Sequence, residues 1–191
     1  MGNGADGSLA RENRPMVTLG VLDHGELTSI SFDDLVKYHG RNSVGGVAHA
    51  FKVMERALPL LDDGKPPERY EIEIQTPFPG PGARDAFEMV TRAVTGARYQ
   101  VEPGLGRDAP EAPEGRYFFR FTYRSTVVDL VMRAGHVSDE FIALVRRPSR
   151  TADEERHLAR LKGEMADRLM SLPAAEVYDA SVVSASENAD E

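Results

Sequence analysis

The sequence predicts an α+β fold, and two kinds of pattern predict it. Residues 70–76 and 116–124 alternate apolar and polar side chains, which is typical of half-buried strands. Residues 44–61 and 151–171 instead carry apolar side chains at helical spacing. Because strands and helices follow one another without a regular β–α–β alternation, we expect a small mixed or antiparallel sheet packed with helices rather than a doubly wound sheet.

The element boundaries follow from start and stop signals along the chain. Ser31 and Asp34 form a capping-box pattern, which opens a short helix, and Thr151 and Glu154 repeat that pattern at the start of the last long helix. In chain order the prediction is a strand over 16–22, helices over 32–38 and 44–61, a strand over 70–76, a helix over 83–94, a loop over 103–115, paired strands over 116–124 and 125–134, helices over 138–147 and 151–171, and a helical turn over 173–178.

The 191 residues suit one domain with loose ends. Residues 1–15 are polar and Gly-rich, which predicts a disordered N-terminus. Residues 179–191 carry four acidic residues and no basic one, which predicts an acidic disordered tail. The single α+β domain is therefore expected over residues 16–178.

Composition narrows the classes of function. The net charge of −8 argues against a nucleic-acid partner, because an acidic surface repels phosphates. The chain has no cysteine, which excludes disulfides, thiolate nucleophiles and cysteine-ligated metals. We find no apolar stretch of about 20 residues and no signal-peptide pattern, so we expect a cytoplasmic protein without a membrane partner.

The segment from residue 38 to residue 43 is the first candidate site. His39, Arg41, Asn42 and Ser43 cluster between two predicted helices, where polar side chains often form a functional site. The free N–H groups of the helix that begins near Val44 would favour an anion close by. The alternative is that Ser43 only caps this helix and that His39 only caps the previous one.

Five further residues are candidates for substrate contacts or chemistry. His49 lies off the centre of its helix's apolar stripe, so it faces either a cleft or the edge of the core. Asp85 either serves a site or simply complements a helix dipole. Arg92 and Arg98 would together bind a carboxylate or phosphate. Tyr123 ends an aromatic strand face, which is either core or the wall of a pocket.

Two stretches resemble the FmdE-like family of formylmethanofuran dehydrogenase proteins, over about residues 30–178. The stretch 38–45 is similar to that family's Phe-His-Gly-His-Leu-Cys-Pro-Gly motif, with His39 at a family histidine and Ser43 at a cysteine position. The stretch 85–96 resembles the family's Asp-Ala helix leading into Thr-Gly-Cys-Thr-x-Gly, with Asp85 matched and Ala93 at the second cysteine.

The resemblance implies an α+β fold, a homodimer, and a pocket whose metal the family holds through the histidine and the cysteines. Of those ligand positions this sequence keeps only His39. We therefore expect an enzyme that acts on a small-molecule substrate by proton transfer (dehydration, isomerisation or cyclisation), with no cofactor. His39 would be the general acid/base, Ser43 and Asp85 would orient groups, and Arg41, Asn42, His49, Arg92, Arg98 and Tyr123 would contact substrate.

Two alternatives stay open at this point. The first is a binding module, in which His39 holds a metabolite, a divalent metal or haem without turnover. The second is a non-catalytic partner subunit that docks through its last long helix.

Overall fold

The computed structural model describes residues 17–184, and these form an α+β fold, as the sequence predicts. The chain begins with a hairpin of β1 (Thr18–Asp23) and β2 (Glu26–Ser31), whose strands pair antiparallel. Its two turn residues, His24 and Gly25, both have positive φ angles, which suits the twist of a two-residue hairpin turn.

Six helices follow within the described range, and their starts show why they form where they do. They are α1 (Phe32–His39), α2 (Val44–Leu61), α3 (Pro81–Thr91), α4 (Asp139–Val145), α5 (Ala152–Ser171) and α6 (Ala174–Val177). Both predicted capping boxes are present: Ser31 with Asp34 opens α1, and Thr151 with Glu154 opens α5. The structure places α2 over the same residues as the sequence does.

A five-stranded mixed sheet forms the second layer. Its strands are β3 (Ile72–Thr76), β4 (Tyr99–Val101), β5 (Phe118–Tyr123), β6 (Thr126–Met132) and β7 (Tyr178–Ser184), in the order β4-β3-β5-β6-β7. Only the β3–β4 pair is parallel, and β5 and β6 form the predicted hairpin. A 3-10 turn, Arg69–Glu71, precedes β3.

The core lies around α2, which packs against α3 and α5 and against β5, β6 and β7. Phe51 on α2 and Phe119 on β5 are fully buried in one contiguous apolar cluster. Phe119 also makes edge-on ring contacts with Phe87 and Tyr178, so the aromatic face of β5 is core.

The structure corrects several predicted boundaries. Residues 179–184, assigned to the disordered tail, continue β7 and pair with β6 along their length. Their β-branched Val182 and Val183 suit a strand, while most of the tail's acidic residues come later. Residues 1–16 and 185–191, where the rest of the disorder predictions fall, lie outside the described residues.

Other differences are local. The six-residue strand β2 and the three-residue strand β4 were not predicted from the sequence. The strand predicted from residue 70 begins at Ile72, because Arg69 turns inward and donates hydrogen bonds to the carbonyls of Met89 and Val90. The helix predicted over 83–94 begins at Pro81 and ends at Thr91, since Arg92 adopts a left-handed backbone conformation. No helix among residues 17–184 is long and apolar enough to cross a membrane.

Candidate functional site

A pocket of about 280 Å³ lies where the N-terminal ends of α2 and α3 meet α4, α5 and the loop before β5. Its wall is largely apolar, and its polar members stand out against that background. The lining residues are Ser43, Gly45, Gly46, His49, Phe78, Pro79, Gly80, Pro81, Gly82, Pro113, Glu114, Tyr117, Phe141, Val145, Lys162 and Met165. We call this the α2–α3 pocket.

Glycines let the two helices approach each other at the pocket. A Cβ atom on Gly82 would lie 2.6 Å from the carbonyl oxygen of Ser43, so no larger residue fits there without a shift of the backbone. A Cβ atom on Gly45 would lie 3.2 Å from the sulfur of Met165, on α5. The first turns of α2 and α3 are therefore in close contact, and their backbone reaches the pocket wall.

His49 forms part of the pocket floor, one turn further along α2. The residue is only 1% exposed, and its ring stacks on Tyr117 at 4.7 Å between centroids. Its Nδ1 lies 2.8 Å from the hydroxyl of Tyr178, and its Nε2 is buried without a hydrogen-bond partner in the described structure. Tyr178 is not part of the pocket wall, whereas His49 and the Tyr117 ring stacked on it both line the pocket.

Burial keeps His49 uncharged. Desolvation, and then the positive charges of His136 and Arg168, lower its pKa to about 3. At neutral pH the imidazole therefore carries one proton, on Nδ1 or on Nε2.

The contact with Tyr178 restricts what can pair with His49. Burial raises the pKa of this tyrosine well above its usual value, so its hydroxyl stays protonated. Among residues 17–184 the only acceptor that the hydroxyl reaches is His49 Nδ1. If Tyr178 donates to Nδ1, the hydrogen on His49 Nε2 has no partner; if Nδ1–H donates to Tyr178, the buried tyrosine hydrogen has none. Every hydrogen of the pair is satisfied only when Tyr178 donates to Nδ1 and a further group accepts from Nε2–H.

Besides His49 and Tyr117, two ionisable side chains line the α2–α3 pocket. Lys162, on α5, donates from Nζ to the carbonyl oxygen of Asn42 at 2.9 Å, and burial together with the nearby Arg150 lowers its pKa. Glu114, on the loop before β5, is the one carboxylate that the described residues place on this wall. The pocket thus offers one cation, one carboxylate and one neutral imidazole.

The predicted residues His39 and Asp85 do come together, but beside the pocket. His39 Nδ1 lies 2.8 Å from Asp85 Oδ2, which joins the end of α1 to α3. The side chain of His39 is 9% exposed, and its Nε2 is buried without a partner in the described structure. Neither residue lines the α2–α3 pocket, whereas Ser43, on the same segment as His39, does.

The structure distributes the other predicted contact residues widely. Arg41 and Asn42 are exposed on their segment, and Asn42 meets Lys162 only through its backbone. Arg98 donates to the backbone carbonyls around the end of α3, including those of Ile72 and Thr91, so it holds the fold together. It does not line the pocket.

Arg92 and Tyr123 also lie off the pocket wall. Arg92 is exposed at the end of α3, 3.9 Å from the Glu88 carboxylate. Tyr123 is buried at the far end of β5, where its hydroxyl accepts a hydrogen bond from the Glu68 amide. Of the nine predicted site residues, Ser43 and His49 are the two that line the pocket.

Sequence reasoning missed Lys162, Glu114 and Tyr178. Lys162 lies three residues before Met165, which belongs to the apolar stripe of α5, so its position near the buried face was a usable signal. Glu114 lies in a loop and Tyr178 at a helix end, and nothing local to either residue indicates a pocket.

The residues present do not fit the metal that the family resemblance implies. Ser43 and Ala93 stand at the two cysteine positions of the family pattern, and they are far apart. Ser43, just before α2, contacts Gly82 at the N-terminal end of α3, whereas Ala93 lies beyond the C-terminal end of α3, a helix length of roughly 16 Å away. Neither offers a soft donor atom, and residues 17–184 contain no group of three His, Asp or Glu side chains that would hold a metal ion. We therefore derive no step through a metal.

Fold and site together define the class: an α+β protein with a mainly apolar pocket that an uncharged histidine lines. The chain matches no known protein-family profile and no curated protein. The pocket itself is therefore the basis for a functional assignment.

Proposed function

We propose that this protein is a metal-independent enzyme that acts on a small molecule in the α2–α3 pocket by proton transfer, as in an isomerisation, dehydration or cyclisation. The observation that carries the proposal is His49, which lines a mainly apolar pocket and whose Nε2 is buried and unpartnered in the described structure. As a further part of the proposal, the protein is a cytoplasmic homodimer and a divergent relative of the FmdE-like proteins.

A neutral imidazole suits one part of such chemistry well. Its Nε2–H group donates a hydrogen bond to a carbonyl oxygen and stabilises the negative charge that forms when a neighbouring carbon loses a proton. The apolar walls strengthen that interaction, because they exclude water. With a substrate oxygen accepting from Nε2–H, Tyr178 donates to Nδ1, and every hydrogen of the pair then has a partner.

The reaction also needs a proton acceptor. Glu114 is the carboxylate on the pocket wall, so it takes the proton from the substrate carbon and returns it to a different carbon or to the same one. Ser43 and the backbone of the first turns of α2 and α3 hold the substrate's polar end. We assign His39 and Asp85 to positioning, because their contact fixes the segment that carries Ser43 against α3.

Proton exchange in D₂O tests this function without knowledge of the product. Phenylpyruvate and neutral aryl ketones of the same size serve as probes, and proton NMR follows the loss of hydrogen next to the carbonyl. We expect exchange above the buffer rate, and at least a tenfold loss of it in both His49→Gln and Glu114→Gln. His157→Gln, at the surface of α5, is the control for losing a histidine.

The result also decides between His49 and His39. If exchange survives in His49→Gln and is lost in His39→Asn, then the general acid/base is His39, as predicted from the sequence, and our assignment of the pocket histidine is wrong. Equal exchange rates in the wild type and in all three site variants would contradict the proposed function.

A binding module without turnover is the second candidate, and one observation favours it. With its pKa lowered to about 3, His49 is a weak proton acceptor at neutral pH, so its hydrogen bond serves binding as well as catalysis. If a probe binds tightly and neither phenylpyruvate nor any of the ketones exchanges protons, the result favours a binding module over an enzyme.

A further inference from the structure

We infer that the α2–α3 pocket takes an organic monocarboxylate, with its carboxylate at the meeting point of the two helix N-termini and its apolar body between α4, α5 and Phe78. This inference rests on the proposed function only in that both use the same pocket. It names the substrate class, which the proposed chemistry leaves open.

The first argument is the pair of helix ends. α2 has 18 residues and α3 has 11, and neither has a side-chain cap nor an acidic residue in its first turn. The backbone bonds start with Val47 donating to Ser43 in α2 and with Arg84 donating to Gly80 in α3, so the N–H groups before them have no intrahelical acceptor. Two uncompensated positive helix ends thus share one pocket wall.

The second, independent argument is His49. Its Nε2 is buried without a partner in the described structure, and each tautomer then leaves one buried hydrogen of the His49–Tyr178 pair without an acceptor, which is costly. A ligand oxygen that accepts from Nε2–H would remove this cost, because Tyr178 can then donate to Nδ1. A carboxylate is the acceptor that also suits the two helix ends.

The charges on the wall set the ligand's charge. Lys162 supplies one positive charge beside the helix ends, while Glu114 brings one negative charge to the same wall. A phosphate dianion or a dicarboxylate would leave a negative charge uncompensated next to Glu114. One carboxylate matches the available donors and leaves the rest of the molecule uncharged.

The remaining wall sets the rest of the ligand. Phe78, Phe141, Val145 and Met165 line the rest of the pocket and present only apolar side-chain atoms. The cavity of about 280 Å³ is at the small end for ligand sites, so it fits a body the size of one aromatic ring or a short alkyl chain. Inorganic phosphate or a free sugar would leave this surface unsatisfied.

Paired acids and amides test the inference. Butyrate, phenylacetate and 3-phenylpropionate are titrated by calorimetry at pH 7.5, each against its own primary amide, which keeps the shape and removes the charge. We expect at least one acid to bind at least tenfold more tightly than its amide. We expect the amides of Gly45, Gly46 and Gly82 to shift in the nitrogen–proton NMR spectrum when that acid is added.

Two variants assign the binding to this pocket. Lys162→Met and His49→Gln should each weaken the acid at least fivefold and change the binding of its amide less. Lys37→Met, on the exposed face of α1, is the matched control for losing a lysine and should bind like the wild type. Circular dichroism shows whether each variant is folded. If His49→Gln, in the core, does not fold, the Lys162→Met variant alone tests the pocket, because Lys162 lies on the helix surface.

The outcomes separate this inference from the proposed function. If no acid binds more tightly than its amide, or if both pocket variants keep the full preference for the acid, the inference is overturned. Carboxylate binding without proton exchange supports the inference and counts against the enzyme. If neutral ketones exchange protons as fast as phenylpyruvate does, the result supports the enzyme and counts against the inference of a carboxylate ligand.

Discussion

The uncharged state of His49 gives the fold a specific dependence on pH. Burial lowers the pKa of this histidine from its usual value of 6.5 to about 3 in the folded protein. In the unfolded chain the ring is in water and titrates near 6.5. Between these two values the unfolded state binds a proton at residue 49 that the folded state does not, so stability falls as the pH falls.

The size of this effect follows from the width of the interval. Above pH 7 the ring is neutral in both states, and His49 adds no pH dependence. Below 6.5, each pH unit costs about 1.4 kcal/mol of unfolding free energy until the folded pKa is reached. Lowering the pH from 7.5 to 4.5 therefore removes about 3 kcal/mol, a large part of the roughly 5–15 kcal/mol that stabilises a typical domain.

Urea unfolding of the wild type and of His49→Gln, at half-unit steps from pH 7.5 to 4.5, isolates this contribution. All other histidines and carboxylates are common to both proteins, so their effects cancel in the difference between the two unfolding free energies. We expect this difference to shift by about 3 kcal/mol in favour of the glutamine variant at low pH. His24→Gln, whose side chain is 83% exposed, is the control for losing a surface histidine. A difference that stays constant across the range would refute the burial of a neutral His49.

Three further predictions concern the surroundings of the pocket. Asp85→Ala should lower the free energy of unfolding by about 1–3 kcal/mol in urea, because it leaves both ring nitrogens of the buried His39 unpaired, and Asp85→Asn should lose less. Arg98→Met should also destabilise the fold but keep the affinity for carboxylates, since its guanidinium donates to backbone carbonyls; a loss of affinity in calorimetry would restore its predicted role in substrate binding. Gly82→Ala should lower both the melting temperature and the affinity, because its Cβ would collide with the backbone of Ser43; an unchanged affinity would show that the pocket tolerates separation of α2 and α3.

The sequence predicts those parts of the fold whose signals are local. α2 and α5 have full apolar stripes, and α1 and α5 have capping boxes, so their positions follow from a few neighbouring residues. β7 has no such local signal. It is an exposed edge strand with one well-buried end, so its sequence resembles that of a tail until its partner β6 is known. β4 has only three residues, and β2 is polar at most of its positions, so pairing rather than composition defines both strands.

The residues of the site also differ in how local their signals are. Ser43 is indicated by the polar segment before a helix start, and His49 by its place off the centre of an apolar stripe; both are local signals. The contact between His39 and Asp85 spans 46 residues, and the sequence indicates both residues without indicating that they meet. Tyr178 lies 129 residues from His49, so no pattern within the sequence connects the hydroxyl to the ring that it contacts.

The low pKa of His49 and the expected preference for a carboxylate have one physical cause. The environment is short of water and positively biased, with Arg168 and His136 near the ring and two helix ends and Lys162 on the pocket wall. Such an environment opposes a proton on His49 and favours an anion in the pocket. The two effects are therefore linked: a bound carboxylate must raise the pKa of His49, and protonation of His49 must by the same factor tighten carboxylate binding. At neutral pH, far above the pKa of His49, the carboxylate accepts a hydrogen bond from an uncharged N–H group. His49 therefore binds the anion without giving it a proton, and the ligand keeps its charge during any reaction at the neighbouring carbon.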